Sequence, residues 1–454
     1  MSGPLDRFDG RSSELPERAR ELLAAERVPL WRRLGWPAAI AAAWLGWYGS
    51  ESLRHRREDQ DGYEARSPAP PSRDDFRRAA EALTGHVATD GNRAELLING
   101  DQIFPPILEA IRGAEHSIHL ETYVYWRGEI ADEVAEAIRE RAAAGVECRV
   151  LLDAVGSAKM RPELVRELRE AGANVVRFRP PRPHLLGRVA NRSHRRVLVV
   201  DGSIGFTGGV GIADEWTGDA EEPDHWRDTH LRIHGPAVRA LQGVFAEHWV
   251  EATGEALIGE RLLPELEPRE DGLAMQIVRS GSAVGDSNIE VLYFLAIASA
   301  ERTLDLTAAY FAPRPPFVKA LCDAARRGVR VRVLVPGEHT DKAFVQLAGR
   351  NTYAELLEGG VELYEYEPTM LHAKSLVIDG CWCSIGTVNF DNRSFQLNDE
   401  LTVSAFDGGL AEDLEREFEQ DLERAERIDP NRWSDRGPLQ RAAERVTTLL
   451  RREL

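Results

Sequence analysis

Lysine is nearly absent from this chain. Its 454 residues include four, Lys159, Lys319, Lys342 and Lys374, so arginine carries almost all of the positive charge. Acidic residues outnumber basic ones by 75 to 57, and the formal net charge is −18. Nucleic-acid binding draws most of its affinity from neutralising phosphates and usually needs a basic face. The charge excess therefore argues against a nucleic-acid partner, while leaving room for a local basic pocket. Cysteine is equally scarce. Cys148, Cys322, Cys381 and Cys383 form no CxxC pair and stand near no histidines at zinc spacing, so neither a metal site nor a cofactor is expected. These thiols read as reduced, structural groups on the cytoplasmic side of a membrane.

Apolar residues make up 43% of the chain and charged residues 29%, the balance of a globular body. The length suffices for two sizeable cores or one large two-lobed core.

The organisation reads as six stretches. Residues 1–33 are polar and mixed in charge. Residues 34–50 are apolar, with Trp36, Trp44, Trp47 and Tyr48 near the ends and arginines on both flanks. The run is shorter than the ~20 residues of a full span, but its flanks suit a membrane segment. A hydrophobic helix packed on the protein is the alternative. Residues 51–73 turn charged and then Pro/Ser-rich, as a linker does. A first lobe over 74–260 and a second over 261–430 follow. Residues 431–454 end in a helix with Leu439, Ala442, Ala443, Val446, Leu449 and Leu450 on one face.

The two lobes repeat each other. Ala110–Tyr125, AIRGAEHSIHLETYVY, matches Ala296–Phe311, AIASAERTLDLTAAYF. Ala137–Asp153 matches Ala320–Pro336 as a helix, a Gly-Val turn and a β-branched strand. Glu167–Phe178 is echoed by Glu355–Tyr366. Helix-strand-helix-strand occurring twice predicts an α/β fold of two duplicated lobes. Each would be a parallel-rich mixed sheet flanked by helices, with a site between the lobes.

Each repeat ends in a histidine-bearing strand. The first reads His194-Arg-Arg196-Val-Leu-Val-Val-Asp201-Gly202, and the second His372-Ala-Lys374-Ser-Leu-Val-Ile-Asp379-Gly380. Residues two apart on a strand share a face, so His194 projects with Arg196 and His372 with Lys374. The Asp-Gly pairs make turns. A small-residue turn follows each histidine after 14 positions: Gly208-Gly209-Val210-Gly211 and Gly386-Thr387-Val388-Asn389. Such residues let backbone N–H groups and a short hydroxyl approach a phosphate. Each repeat then carries a carboxylate, Asp228 and Glu400. Hydrogen-bonded to imidazole Nδ1, it would fix the tautomer and free Nε2 to attack.

Paired H-x-K-x-x-x-x-D motifs with these turns resemble the phospholipase D superfamily, from about residue 95 to the C-terminal end. LETYVYWRGEIADEV, GFTGGVGIADEW, WRDTHLRIHGPAV and LHAKSLVIDG with NFDNRSFQLNDE are similar to bacterial cardiolipin synthases. The resemblance implies a metal-free phosphatidyl transfer through a covalent phospho-histidine. His194 would be the nucleophile and His372 the acid and base, with phosphatidylglycerol as substrate at a membrane surface. It implies a catalytic set of His194, Arg196, Asp201, His372, Lys374 and Asp379. Gly208, Gly209, Asp228, Gly386, Thr387, Asn389 and Glu400 would support the phosphate. Two positions depart from the pattern: Arg196 replaces lysine, and Gly211 stands opposite Asn389. The residues leave open the reverse histidine order, a hydrolytic or headgroup-exchanging phospholipase D, a nuclease or phosphodiesterase, and a lipid-binding pseudoenzyme. Trp126, Trp216, Trp226, Tyr310 and Phe311 either wall a lipid pocket or pack the core.

Overall fold

The computed structural model describes residues 64–181, 191–281 and 286–434. The membrane segment expected at 34–50 and the amphipathic helix expected at 439–454 lie outside the described residues. Among the described residues no helix is long and apolar enough to cross a membrane.

The first repeat contributes strands β1 (Thr89–Ile98), β2 (Ser117–Thr122), β3 (Glu147–Asp153), β4 (Asn174–Phe178), β5 (Val197–Val200), β6 (Ile204–Gly208) and β7 (Thr229–His234). The second contributes β8 (Leu273–Ser280), β9 (Thr303–Ala308), β10 (Phe311–Ala312), β11 (Arg330–Pro336), β12 (Glu362–Tyr366), β13 (Lys374–Ile378), β14 (Trp382–Gly386), β15 (Phe390–Asp391), β16 (Glu400–Phe406) and β17 (Ala425–Arg427). Instead of two separate sheets, β1 and β8 pair antiparallel and join the halves into one 15-stranded sheet. Its order is β17-β12-β11-β9-β13-β14-β16-β8-β1-β7-β6-β5-β2-β3-β4, and outward from the β8–β1 seam the two halves run in the same relative order. The sheet is less parallel than the repeat pattern suggests. Among the named strands, parallel pairing is confined to β2-β3-β4 and β9-β11-β12, where helices cross over between strands, and to the short β10–β15 pair. The histidine strands β5 and β13 enter as antiparallel hairpins.

Burial explains the apolar runs after each histidine. All four residues of β5 are buried, as are all five of β13. Leu198 and Val200 point into a core shared with the helices Asn99–Arg112, Glu129–Ala143 and Pro162–Glu170. Val197 and Val199 point the other way, into a core with Val377, Cys383 and Ile385 of the second repeat and the helix Ala237–Thr253. This central core belongs to both halves. At roughly 1.5–3 kcal/mol per buried aliphatic side chain, it welds the lobes together.

One boundary moves. The helix Asp74–Thr84, assigned to the first lobe by chain order, packs into the second half's core, with Phe76 edge-on to Trp382 at 5.8 Å between ring centroids.

Candidate active site

The duplication brings the two histidine strands to the seam, and backbone hydrogen bonds then cross it twice. His194 N–H donates to Asp399 O at 2.9 Å, and Asp399 N–H to Arg192 O at 2.9 Å. In the other direction, His372 N–H donates to Arg227 O at 2.7 Å, and Arg227 N–H to Met370 O at 2.9 Å. Asp399 precedes Glu400 and Arg227 precedes Asp228, so each stitch carries an acid from one repeat to the histidine of the other.

The side chains complete the exchange. His194 Nδ1 lies 3.0 Å from Glu400 Oε2, and His372 Nδ1 lies 2.7 Å from Asp228 Oδ2. All four residues are buried. Burial, followed by the charges of Arg196 and Lys374, holds the His194 imidazole well below its usual pKa; burial, Lys374 and Arg196 do the same for His372. Each ring is therefore neutral in the free enzyme, donating from Nδ1 to its carboxylate and leaving Nε2 a lone pair. Burial pushes Glu400 up to about 7 and raises Asp228.

The expected histidine strands begin later than the motif: His194 and Arg196 both precede β5, and His372 lies two residues before Lys374, the first residue of β13, yet each cation still stands beside its histidine. Arg196 donates from Nη1 to His194 O at 2.9 Å, and its Nη2 stands 3.3 Å from His194 Nε2. Lys374 donates to His372 O, with its Nζ 3.1 Å from His372 Nδ1. Burial pushes Lys374 down to about 7 against the pull of Asp228.

The small-residue turns seat the carboxylates instead of offering their backbone to a phosphate. Gly209 N–H is spent on Thr229 O and Thr387 N–H on Leu401 O. A Cβ at Gly209 would lie 2.1 Å from Asp228 Oδ1, so only glycine lets that acid in. At the equivalent position, the Thr387 hydroxyl donates to Glu400, and Thr387 O lies 3.0 Å from His194 Nδ1. Gly208 and Gly386 press against the neighbouring strands β7 and β16. Gly211 differs from Asn389 for a steric reason: a Cβ there would come within 2.8 Å of Val124 and 3.1 Å of Trp216. Trp216 in turn donates from Nε1 to Asp228 Oδ2 at 2.8 Å. Asn389 Oδ1 is buried with no hydrogen-bond partner among the described residues, a polar group left for a ligand to meet.

Asp201 and Asp379 do not belong to this cluster. Each ends its strand at the far side from the histidine and accepts three backbone N–H groups. Glu115, His116 and Ser117 donate to Asp201 at 2.7–2.9 Å, and Glu301, Arg302 and Thr303 do so to Asp379. Both aspartates have positive φ, 52° and 55°, and are followed by glycines at 63°, the backbone of a tight hairpin turn. They tie each strand to the start of its neighbour, and their carboxylates are spent on backbone N–H groups.

The aromatic wall divides. Trp216, Trp226 and Tyr310 stand 5.1, 5.4 and 6.3 Å from His372. Trp126 stands behind, 6.0 Å from Trp216. Phe311 packs into the core with Phe390.

Two features escape sequence reading. Tyr123 sets its ring edge-on to His194 at 5.2 Å, while its counterpart in the repeat alignment is Ala309. His248 lies behind His194, with Nδ1 2.6 Å from Glu121 Oε1 and Nε2 3.2 Å from Asp399 Oδ2. Ser193, adjacent to His194, donates to the same Glu121 oxygen at 2.6 Å. Burial and Arg195 pull the His248 pKa down, but the two carboxylates outweigh them and the net shift is upward. The only available signal was histidine and acid content, which carries no information on pairing across 127 and 151 residues.

The fold resembles the crystal structure of phosphatidylserine synthase from Haemophilus influenzae, with a TM-score of 0.64 at 14% identity over 84% of this chain and all of that one. Among curated proteins, the cardiolipin synthase of Geobacillus kaustophilus is 38% identical over 85% of this chain and 77% of its own length. Cardiolipin synthase 2 of Bacillus anthracis is 37% identical over 82% and 73%. The family described as cardiolipin synthase, PLD-like domain, matches twice, at residues 107–249 and 293–422, each match containing one histidine strand. The chain belongs to the phospholipase D-like cardiolipin synthase family.

Proposed function

We propose that this enzyme condenses two phosphatidylglycerol molecules into cardiolipin and glycerol. The observation that carries the reading is the pair of imidazoles, each held by the opposite repeat's acid beside a buried cation. His194 Nε2 attacks phosphorus, forming an N–P bond as the bond to the glycerol headgroup oxygen breaks. The phosphodiester anion raises the basicity of His372, which takes up a proton from solvent at Nε2 as the substrate enters and gives that proton to the leaving oxygen. Glu400 balances the positive charge on the phosphorylated His194 ring. In the second half-reaction, His372 takes the proton from the primary hydroxyl of a second phosphatidylglycerol. That oxygen attacks phosphorus and His194 leaves, regenerating both rings. Arg196, Lys374 and Asn389 stabilise charge on the equatorial oxygens.

The work is done at the cell membrane, where a lipid donor and a lipid acceptor meet, with the catalytic part on the cytoplasmic side. Four free cysteines support that side. Reactions with acyl-labelled phosphatidylglycerol, stopped by detergent denaturation at mildly alkaline pH where a phospho-histidine survives, test the chemistry. Label stays on the protein in the unaltered enzyme and disappears in His194→Ala. Label retained by His194→Ala and lost in His372→Ala reverses the order of the two histidines.

A further inference from the structure

Three of the chain's four lysines lie in or beside the site. Lys374 lies in the site, and two others, Lys159 and Lys342, sit on the loops that follow β3 and β11. These loops are equivalent in the two repeats: each lysine comes six residues after the last residue of its strand, Asp153 or Pro336. Both loops border the site through a single layer of rings. On the first, Ser157 donates to Tyr123 O at 2.9 Å, Gly156 packs against the Tyr123 ring, and that ring touches His194. Lys159 Nζ lies 3.7 Å from the centroid of Trp126. On the second, Tyr310 donates to Asp341 at 2.7 Å, carries Lys342 Nζ 4.3 Å from its ring centroid, and stands perpendicular to His372 at 6.3 Å between ring centroids.

Each loop also exposes one large apolar side chain. Val155 is 40% exposed, and Phe344, just past Lys342, is 48% exposed. Scattered apolar residues on a surface mean little. Here two sit at the mouth of one site, each within four residues of a lysine, in a protein that is otherwise short of lysine.

We infer that these two loops form the face that meets the lipid bilayer, with Val155 and Phe344 entering the interface and the exposed Lys159 taking a lipid phosphate, while Lys342 stays tucked over the Tyr310 ring. The inference rests on the proposed lipid substrate and names the surface by which it is reached. A body with net charge −18 is repelled by an anionic bilayer except where its local charge is positive. Lys159 and Arg161 give the first loop its positive charge beside Val155 and turn that side of the mouth toward the substrate. The partner that fits is an anionic phospholipid surface, because lysine pairs with phosphate while the short apolar residues suit the headgroup boundary.

The test uses the full chain carrying a polarity-sensitive fluorophore on Val155→Cys, with Glu412→Cys on an exposed helix as control. Adding phosphatidylglycerol vesicles shifts the emission at 155 to the blue and leaves 412 unchanged, while phosphatidylcholine vesicles shift neither. No shift at 155, equal shifts at both positions, or an equal response to neutral vesicles overturns the inference. The second arm compares Val155→Ser/Lys159→Glu/Phe344→Ser with the unaltered chain. Turnover of vesicle phosphatidylglycerol falls at least about tenfold, and turnover of a monomeric short-chain phosphatidylglycerol stays within about twofold. Equal turnover on vesicles sinks the docking surface. No turnover by the unaltered chain on either substrate sinks the proposed function, and the fluorescence arm still decides the docking face.

Discussion

The carboxylate that orients His372 belongs to the other half of the molecule: Asp228, 144 residues earlier in the chain, lies 2.7 Å from its Nδ1. Glu400 does the same for His194 from the opposite direction. Neither half-site is complete alone. Asp228→Asn offers an amide where a carboxylate balanced the ring, and in a comparable histidine–carboxylate pair that change costs about 10⁴ in kcat. Asp228→Asn and Glu400→Gln should each lower kcat by about 10²–10⁴ with phosphatidylglycerol binding little changed, measured as kcat and KM separately. A pure KM effect would contradict the assigned role.

The titration of the site sets its pH range. Glu400, pushed up to about 7, carries its charge only as the pH rises through that value, whereas Lys374, pushed down to about 7, carries its charge only below it. The free enzyme therefore needs one group deprotonated and the other protonated, and kcat/KM should form a narrow bell around neutrality. Arginine stays charged throughout. Lys374→Arg should flatten the basic limb and leave the acidic limb in place; a basic limb that survives this change assigns it to another group.

Arg196 occupies its half-site with two contacts to His194, so it fills the cation's role without lysine's shape. Arg196→Lys should keep activity within about tenfold, and Arg196→Ala should lose about 10² or more. Comparable losses in both would show that the fork is indispensable.

Asp379 and Asp201 separate structure from chemistry. Removing the Asp379 carboxylate leaves three backbone N–H groups without their acceptor. Asp379→Ala should cost about 2–4 kcal/mol of stability by denaturant unfolding, with kcat per folded molecule unchanged. A stable variant without activity would return this aspartate to the catalytic set.

His248 holds a proton between Glu121 and Asp399, behind the strand that presents His194. Its pKa is raised by folding, so its contribution to stability is full below the unfolded value of about 6.5 and is lost as the pH rises through the folded value. His248→Gln should lower kcat by about tenfold with KM little affected, and should remove that alkaline loss of stability. An unchanged stability–pH profile would show that the ring is not charged.

Much of this was legible before the fold was known, because duplication writes itself twice. The 14-residue spacing from histidine to turn, and the two-residue step from histidine to cation, are local rules of strand geometry. They placed His194 with Arg196 and His372 with Lys374. What sequence could not carry was pairing across the seam. Nothing local says that Asp228 serves His372 and not His194, or that β1 and β8 fuse two sheets into one. Asp201 and Asp379 could not be sorted from sequence, because a motif records what recurs, and a turn-forming aspartate recurs beside a histidine as reliably as a second catalytic group. Thr387 is a similar case: a short hydroxyl suits a phosphate or a carboxylate, and only the position of Glu400 decides.

The account turns on transfer to a lipid hydroxyl, and the most direct measurement is the product ratio from purified full chain and phosphatidylglycerol vesicles, with a His372→Ala control. Cardiolipin and glycerol in equal amounts, both lost in the control, are the predicted result. Phosphatidic acid and glycerol without cardiolipin would show that water, not a second lipid, takes the phosphatidyl group, and would contradict the synthase assignment.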